Sequence, residues 1–370
     1  MATKAKKRVR YAVVGLGNIA QVAVLPAFQH ASENSELVAL ISSDQDKLDK
    51  LGKRYGVKLR GDYRDLERVL AEGQVDAVYI ALPNTMHREF TERAARAKVH
   101  VLCEKPMAMT EQDCQAMIDA TNRHGVKLMI AYRLHFEAGN LDVIERAQRG
   151  DLGELRVFSS VFSHDVRAGG IRTRGDLGGG ALFDMGIYCV NAARYVFQDE
   201  PIEAYAQQIG GRDERSASVD ECTTAVLTFP EGRVAQLTAS QGMADCDGYR
   251  VVGTKGSIVL DPAFEYSEAI AEKITIDGKT KTKTFEKRDQ FAAELLHFSR
   301  CIQNDDSPEP SGLQGLADVR IMLALQESAR TGQRVKLTPV EVGDRPSKRL
   351  ETKRPPTKKV STVHAPSPSK

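Results

Sequence analysis

The chain has 370 residues, 41% of them apolar and 28% charged, with a net charge of +2. That length predicts two domains, each with enough apolar material for a core. The charge is segregated: residues 1–10 and 341–370 carry a net +5 each, leaving −8 for 11–340, which argues against nucleic acid as the partner of the folded part.

Residues 1–8 are read as a basic, disordered start. Val9–Val14 is a first strand, and Gly15-Leu16-Gly17-Asn18-Ile19-Ala20 follows it and opens a helix that Pro26 should kink or end. Leu37–Ser42 is a second strand, and Asp44 caps a helix with Leu48, Leu51 and Tyr55 at helical spacing. A third strand covers 77–82, a helix 85–97 and a fourth strand 99–103, which stops at Glu104-Lys105-Pro106. Thr110 caps the next helix, Gly125 stops it, and 127–131 is one more strand. Strict β-α alternation over 9–131 predicts a doubly wound parallel sheet with right-handed crossovers.

After a helix at 140–149 the grammar changes. A strand at 156–165 and the corner Gly178-Gly179-Gly180 lead into a helix at 181–197. Six strands then follow without helices between them, about 203–209, 220–229, 233–240, 249–253, 256–260 and 273–277, with Pro230-Glu231-Gly232 as a hairpin turn. Helices at 289–303 and 313–330 close an α+β domain, 132–338, with a large, mostly antiparallel open sheet. Residues 339–370, rich in Lys, Arg and Pro, read as a disordered basic tail. The six cysteines are scattered without a Cys-x-x-Cys pair, and there is neither a signal-peptide-like stretch nor an 18-residue apolar run. The expectation is a reduced, cytoplasmic protein with no membrane partner.

Gly15-x-Gly17-x-x-Ala20 is the glycine fingerprint of dinucleotide binding. The first glycine permits the tight turn, the second a close approach by pyrophosphate, and the third position close packing of helix on strand. The end of the second strand selects the dinucleotide. In place of an acidic residue for a ribose hydroxyl, the chain has Ser42-Ser43, with Asp44 used as a cap and Lys47 one turn on. Hydroxyls and a cation favour NADP, with NAD as the alternative and an ordinary surface lysine as the competing reading of Lys47. On position alone, Lys105 is either a turn residue or a catalytic cation at a strand's carboxyl end. No cluster of His, Cys and carboxylates has metal spacing, so no metal is expected.

Four motifs occur in order: Gly15-x-Gly17-Asn18-Ile19-Ala20, Leu82-Pro83-Asn84-x-x-His87, Glu104-Lys105-Pro106 and Gly178-Gly179-Gly180-x-x-x-Asp184-x-Gly186-x-Tyr188. Together the chain resembles the glucose–fructose oxidoreductase/inositol dehydrogenase family of two-domain sugar dehydrogenases over about residues 8–338. Tyr132-Arg133-x-His135-Phe136, Ser42, Lys47 and Tyr188 look most like the glucose–fructose oxidoreductase branch. The resemblance implies an NADP-dependent oxidoreductase acting on a sugar or a sugar-like polyol or ketose. It implies Tyr188 as the group that exchanges the hydroxyl proton, Lys105 as the cation that favours its phenolate and polarises the substrate oxygen, and Asp184 as an orienting carboxylate. Leu82, Asn84, His87, Glu104 and Arg133 are expected to flank the cofactor, and His135 and His164 are candidate sugar contacts. An exposed first-turn histidine and a plain salt bridge are the competing readings of His87 and Arg133. Association through the second-domain sheet, as a dimer or tetramer, is expected by resemblance. The alternatives are a sugar–sugar oxidoreductase that retains its NADP and a catalytically silent regulator that senses dinucleotide.

Overall fold

The computed structural model describes residues 7–210 and 217–369; the basic start at 1–6 lies outside them. The first sheet holds β1 (Val9–Val14), β2 (Ser35–Ile41), β3 (Leu59–Gly61), β4 (Ala77–Ile80), β5 (His100–Glu104) and β6 (Leu128–Ala131), all parallel in the order β3-β2-β1-β4-β5-β6. Its central strands are buried on both faces, which is why they read as unbroken apolar runs. The crossovers carry α1 (Leu25–His30), α2 (Gln45–Tyr55), α3 (Leu66–Glu72), α4 (His87–Arg96) and α5 (Glu111–His124). Asp44 caps α2 by accepting from the Lys47 N–H at 3.0 Å, and Thr110 caps α5 by accepting from the Asp113 N–H at 3.0 Å. The helix at the fingerprint starts as a π-turn over Ala20–Val24 and becomes α1 where Pro26 enters its first turn, so the proline marks a change of winding.

After α6 (Ala138–Gln148) comes the second sheet: β7 (Leu155–Asp165), then α7 (Ile187–Phe197), β8 (Glu203–Gly210), β9 (Asp220–Thr228), β10 (Val234–Ser240), β11 (Gly242–Gly253), β12 (Gly256–Leu260), β13 (Ile270–Ile276) and β14 (Lys279–Phe285). The chain closes with α8 (Gln290–Asn304), α9 (Gly312–Thr331) and β15 (Val335–Lys336). The strand order is β14-β13-β12-β11-β7-β10-β9-β8-β15, antiparallel throughout except for β7 beside β10. The mixed α/β architecture with a mostly antiparallel second sheet is the one expected. Along β9 and β10 the side chains alternate: Ala225, Leu227, Ala235 and Leu237 are buried on the helix-covered side, while Thr224 and Gln236 are exposed on the other. β3, β14, β15 and α3 are short or strongly polar, and none was read from the sequence.

Two segments lie where the sequence did not place them. Helix α8 packs on the first sheet: Tyr11 Oη and Ser35 Oγ each meet Ser299 Oγ (2.8 and 2.7 Å), and the Asn34 amide donates to Leu296 O. The tail expected to be disordered is packed from 339 to 369. Its isolated apolar residues Val342, Leu350, Val363 and Ala365 are all buried, and Arg345, Lys348 and Arg354 pair with Glu200, Glu351 and Glu33. Composition averaged over thirty polar residues conceals four singly spaced anchors.

Helix α7 is held by a buried polar network. Arg194, 1% exposed, donates to both Glu200 oxygens (2.7 and 2.9 Å), to Asp318 (2.6 Å) and to Gln314 (2.8 Å). Asn191 donates to the second Asp318 oxygen, and Arg345 reaches Glu200 at 2.6 Å. Removing the cation strands two buried carboxylates, so Arg194→Met is expected to lower stability by about 3–5 kcal/mol. Urea unfolding checks this, and a loss under about 1 kcal/mol would show that the network does not hold α7.

His164, on β7, lies 3.1 Å from both Glu265 and Asp245. The Glu265 hydrogen bond raises its pKa, and Asp245 adds to the effect against the opposition of burial. Its contribution to stability is complete below about pH 6.5, the unfolded value, and is lost as pH rises through the raised folded value. Replacing His164 by Gln is expected to flatten the decline of the melting temperature above pH 6.5, by an amount equivalent to roughly 1 kcal/mol or less. An unchanged pH profile would rule that contribution out.

Candidate active site

The carboxyl ends of β1, β4 and β5 face the second domain, at the point where the strand order reverses between β1 and β4. Gly15 (φ 94°) starts the fingerprint turn, and a Cβ there would stand 2.4 Å from Ala81 O, so only glycine fits. A Cβ on Gly17 would meet nothing within 4 Å, leaving the backbone open to the close approach a pyrophosphate needs. Ala20 is fully buried against the sheet and Leu16 is 1% exposed, while Asn18 and Ile19 are half-buried. These observations fit a dinucleotide.

At the end of β2 the four candidates separate. Ser42 is buried and its hydroxyl accepts from the Asp44 N–H at 3.2 Å, closing the turn that leads into α2. Asp44 uses one oxygen as the cap of α2 and the other toward His364 at 2.9 Å. Ser43 is exposed and Lys47 half-buried.

β5 delivers Lys105. Its ammonium donates to Asp184 O at 2.9 Å, stands 3.8 Å from Asp184 Oδ1 and lies 4.4 Å from the centroid of the Tyr188 ring. One cation thus touches both residues of the downstream motif, which places them on a common face. They meet there even though Leu182–Gly186 is wound as a π-turn ahead of α7, a feature common at functional sites. Arg172 Nε lies 2.9 Å from Asp184 Oδ2. The segment 166–177 has no periodicity, so nothing in the sequence singled out this partner.

Arg133 is buried, not paired with a carboxylate, and lies 5.0 Å from the Tyr188 centroid and 5.1 Å from that of Tyr266. It donates to Gln290 Oε1 at 2.6 Å and to Phe264 O. Burial opposes its charge, but Tyr188 and Glu265 outweigh that and raise its pKa. Tyr188 is therefore held between two cations and packed edge-on against Phe162 at 5.4 Å. Glu104 accepts from Tyr79 Oη at 2.8 Å, and burial pushes its pKa up while Lys105 opposes the rise. Glu294 on α8 is fully buried with no partner on either oxygen among the described residues; burial, and then the charge of Glu104, push its pKa up strongly.

The other expected cofactor contacts are engaged elsewhere. His87 is fully buried: Nδ1 lies 3.0 Å from Pro106 O and Nε2 3.0 Å from Leu82 O, so it ties β4's end to the turn after Lys105 and leaves no ring nitrogen for a ligand. Burial lowers its pKa, against the opposing effect of those carbonyls. Asn84 donates to Gly178 O at 2.7 Å, clamping the glycine corner to the first domain. Gly178 (φ 80°) passes so close that a Cβ would lie 2.9 Å from Asn84 Cβ. Leu82 is 6% exposed. His135 is buried between Glu309 and Asn191, and His164 between Asp245 and Glu265, so neither stands free for a sugar. Asp220, which the sequence reading passed over, accepts from the Leu182 N–H at 2.8 Å and caps the helix that carries Asp184. Among the described residues no three of His, Cys, Asp and Glu are grouped to hold a metal, and no helix is long and apolar enough to cross a membrane.

Known proteins share this fold. Residues 9–132 match the oxidoreductase family with an NAD-binding Rossmann fold, and 141–259 match the GFO/IDH/MocA C-terminal domain. The chain is 32% identical to D-xylose 1-dehydrogenase (NADP(+)) 2 of Haloferax volcanii, over 88% of this chain and 99% of that protein. Its fold is similar to that of aldose-aldose oxidoreductase from Caulobacter crescentus, solved with glycerol (TM-score 0.85, 38% identity, 90% of this chain and 100% of that one). It is also similar to KijD10, a 3-ketoreductase from Actinomadura kijaniata, solved with NADP and TDP-benzene (TM-score 0.80, 26% identity, 87% and 98%). With both domains matched and a relative above 30% identity along nearly its whole length, the chain belongs to the GFO/IDH/MocA family of oxidoreductases.

Proposed function

We propose that this protein is an NADP-dependent oxidoreductase that moves a hydride between nicotinamide and a carbon bearing a hydroxyl or carbonyl group on a sugar or a related polyol or ketose. The observation that carries this reading is the contact of Lys105 with Asp184 and Tyr188 at the end of β5, across the crevice from the open backbone at Gly17. Bound there, the nicotinamide supplies a hydride acceptor for oxidation and a donor for reduction.

The chain's own residues handle the proton. Tyr188 takes the hydroxyl proton in oxidation and returns it in reduction, with Lys105 and Arg133 beside its ring. Lys105 also polarises the substrate oxygen, which makes a metal unnecessary for that task. Asp184, fixed by Arg172, orients Lys105 and accepts from a substrate hydroxyl. Gly15 to Ile19 carry the pyrophosphate, and Ser43 and Lys47 face the adenosine 2′-phosphate. The open face of the second sheet, with Thr224 and Gln236, forms the contact of a homo-oligomer.

A second reading is favoured by the likeness to an aldose-aldose oxidoreductase. Here NADP stays bound and hydride passes from one sugar to another. Persistence of nicotinamide absorbance with the protein through gel filtration separates the two.

Lys105→Ala is expected to cut kcat by roughly a hundred-fold or more while NADP binding survives, because the lysine acts on the reacting oxygen. Steady-state kinetics beside an NADP titration reads both quantities, and unchanged turnover rejects the assignment. Lys47→Glu is expected to weaken NADP about ten- to hundred-fold against NAD, the worth of one charge-assisted hydrogen bond. If the ratio of the two dissociation constants stays put, the 2′-phosphate is held elsewhere.

A further inference from the structure

The C-terminal segment crosses the dinucleotide groove. From the turn after α1, where Arg354 pairs with Glu33, it passes α2, where Arg54 donates to Ser361 O at 2.7 Å. At the fingerprint it is bound on both sides. The Gln21 side chain accepts from the Val363 N–H at 2.7 Å and donates to Val363 O at 2.9 Å, as a neighbouring strand would. The Asn18 amide donates to Ala365 O at 3.0 Å and to Pro366 O at 3.1 Å. His364 meets Asp44 at the end of β2, 2.9 Å away. The segment then leaves the first domain: Pro368 O accepts from the Arg167 N–H at 2.9 Å, and Ser369 bridges to Val166 after β7. Val363 and Ala365 are 8% and 7% exposed, so the crossing is seated in the fold.

We propose that residues 361–369 form a clasp over the bound dinucleotide and set the rate at which it leaves. The clasp rests on the NADP reading above. Its contacts lie on Asn18, Gln21 and Asp44, on the flanks of the phosphate cradle, while the space beside Gly17 stays open under it. A segment that filled the cradle would crowd that glycine. Its two ends grip different domains, so a ligand lying from β2's end past Gly17 toward Lys105 is crossed by peptide. It can leave only when the bonds to Asn18, Gln21 and Asp44 open. Asn18, beneath the clasp, belongs to the fingerprint that the NADP reading gives to the pyrophosphate.

The test follows NADPH release by stopped-flow fluorescence, chasing the complex with excess NADP. It compares the full chain, the full chain with Val363→Asp, and a chain ending at Val360. Val363→Asp places a charge in the buried seat and detaches the clasp while leaving every groove residue in place. Release at least ten-fold faster in both variants is expected. Release within two-fold of the full chain, with NADPH still binding, overturns the clasp and leaves the NADP reading intact. Faster association with unchanged release also overturns it, because the segment would then be an obstacle. Failure of the full chain to bind NADPH at all overturns the NADP reading, and the clasp with it.

Discussion

A cation drawn out of water must be compensated within hydrogen-bond reach, and the direct contacts of Lys105 come from the other domain. Its ammonium is 12% exposed and finds the Asp184 carbonyl, the Asp184 carboxylate and the face of Tyr188. All three lie on the start of α7 or the segment that leads into it. The strand β5, apolar from Val101 to Cys103, is therefore followed by a charge that makes sense only with the second domain in place. The two sheets must hold that distance, and much of the remaining polar structure serves this end.

The support is arranged in layers. His87 pins the turn after Lys105 to the end of β4, and Asn84 pins the glycine corner from the same loop. Asp220 caps the entry to α7, and Arg194 locks its far end to α9. Arg133 lies 5.0 Å from the Tyr188 ring centroid and reaches the loop after β12 and helix α8. Each is a buried or half-buried polar group with its partners supplied, which fixes geometry more sharply than apolar packing would. Glu294 is the exception. Burial, and then the charge of Glu104, push the pKa of this carboxyl up strongly, and it has no partner among the described residues.

The same loops were legible from the sequence as motifs, but not by role. Asn84 and His87 were expected beside a ligand because they follow a strand's carboxyl end; the structure turns both toward backbone carbonyls. Ser42 was expected to face a phosphate, and its hydroxyl also closes the turn that leads into α2. A polar residue at a strand end can satisfy either a ligand or the fold, and spacing alone does not distinguish them. The basic tail misled in the opposite direction. Its low apolar content argued for disorder, but Val363 and Ala365 need only a groove already lined by Asn18 and Gln21 to be seated.

What the sequence determined by itself is the part of the protein governed by local pattern. Unbroken apolar runs alternating with capped helices specify the parallel sheet, and a glycine fingerprint between a strand and a helix specifies the anion cradle. The switch to consecutive strands specifies the second sheet. Those features depend on residues a few positions apart. What only the tertiary structure decided depends on residues far apart in the chain, from about fifty to more than three hundred positions, meeting in space. Examples are α8 on the first sheet, Arg133 between Tyr188 and Tyr266, and the tail across the fingerprint. Their partners are polar side chains whose hydrogen bonds carry no periodicity, so no window of sequence reveals which acceptor each donor will find.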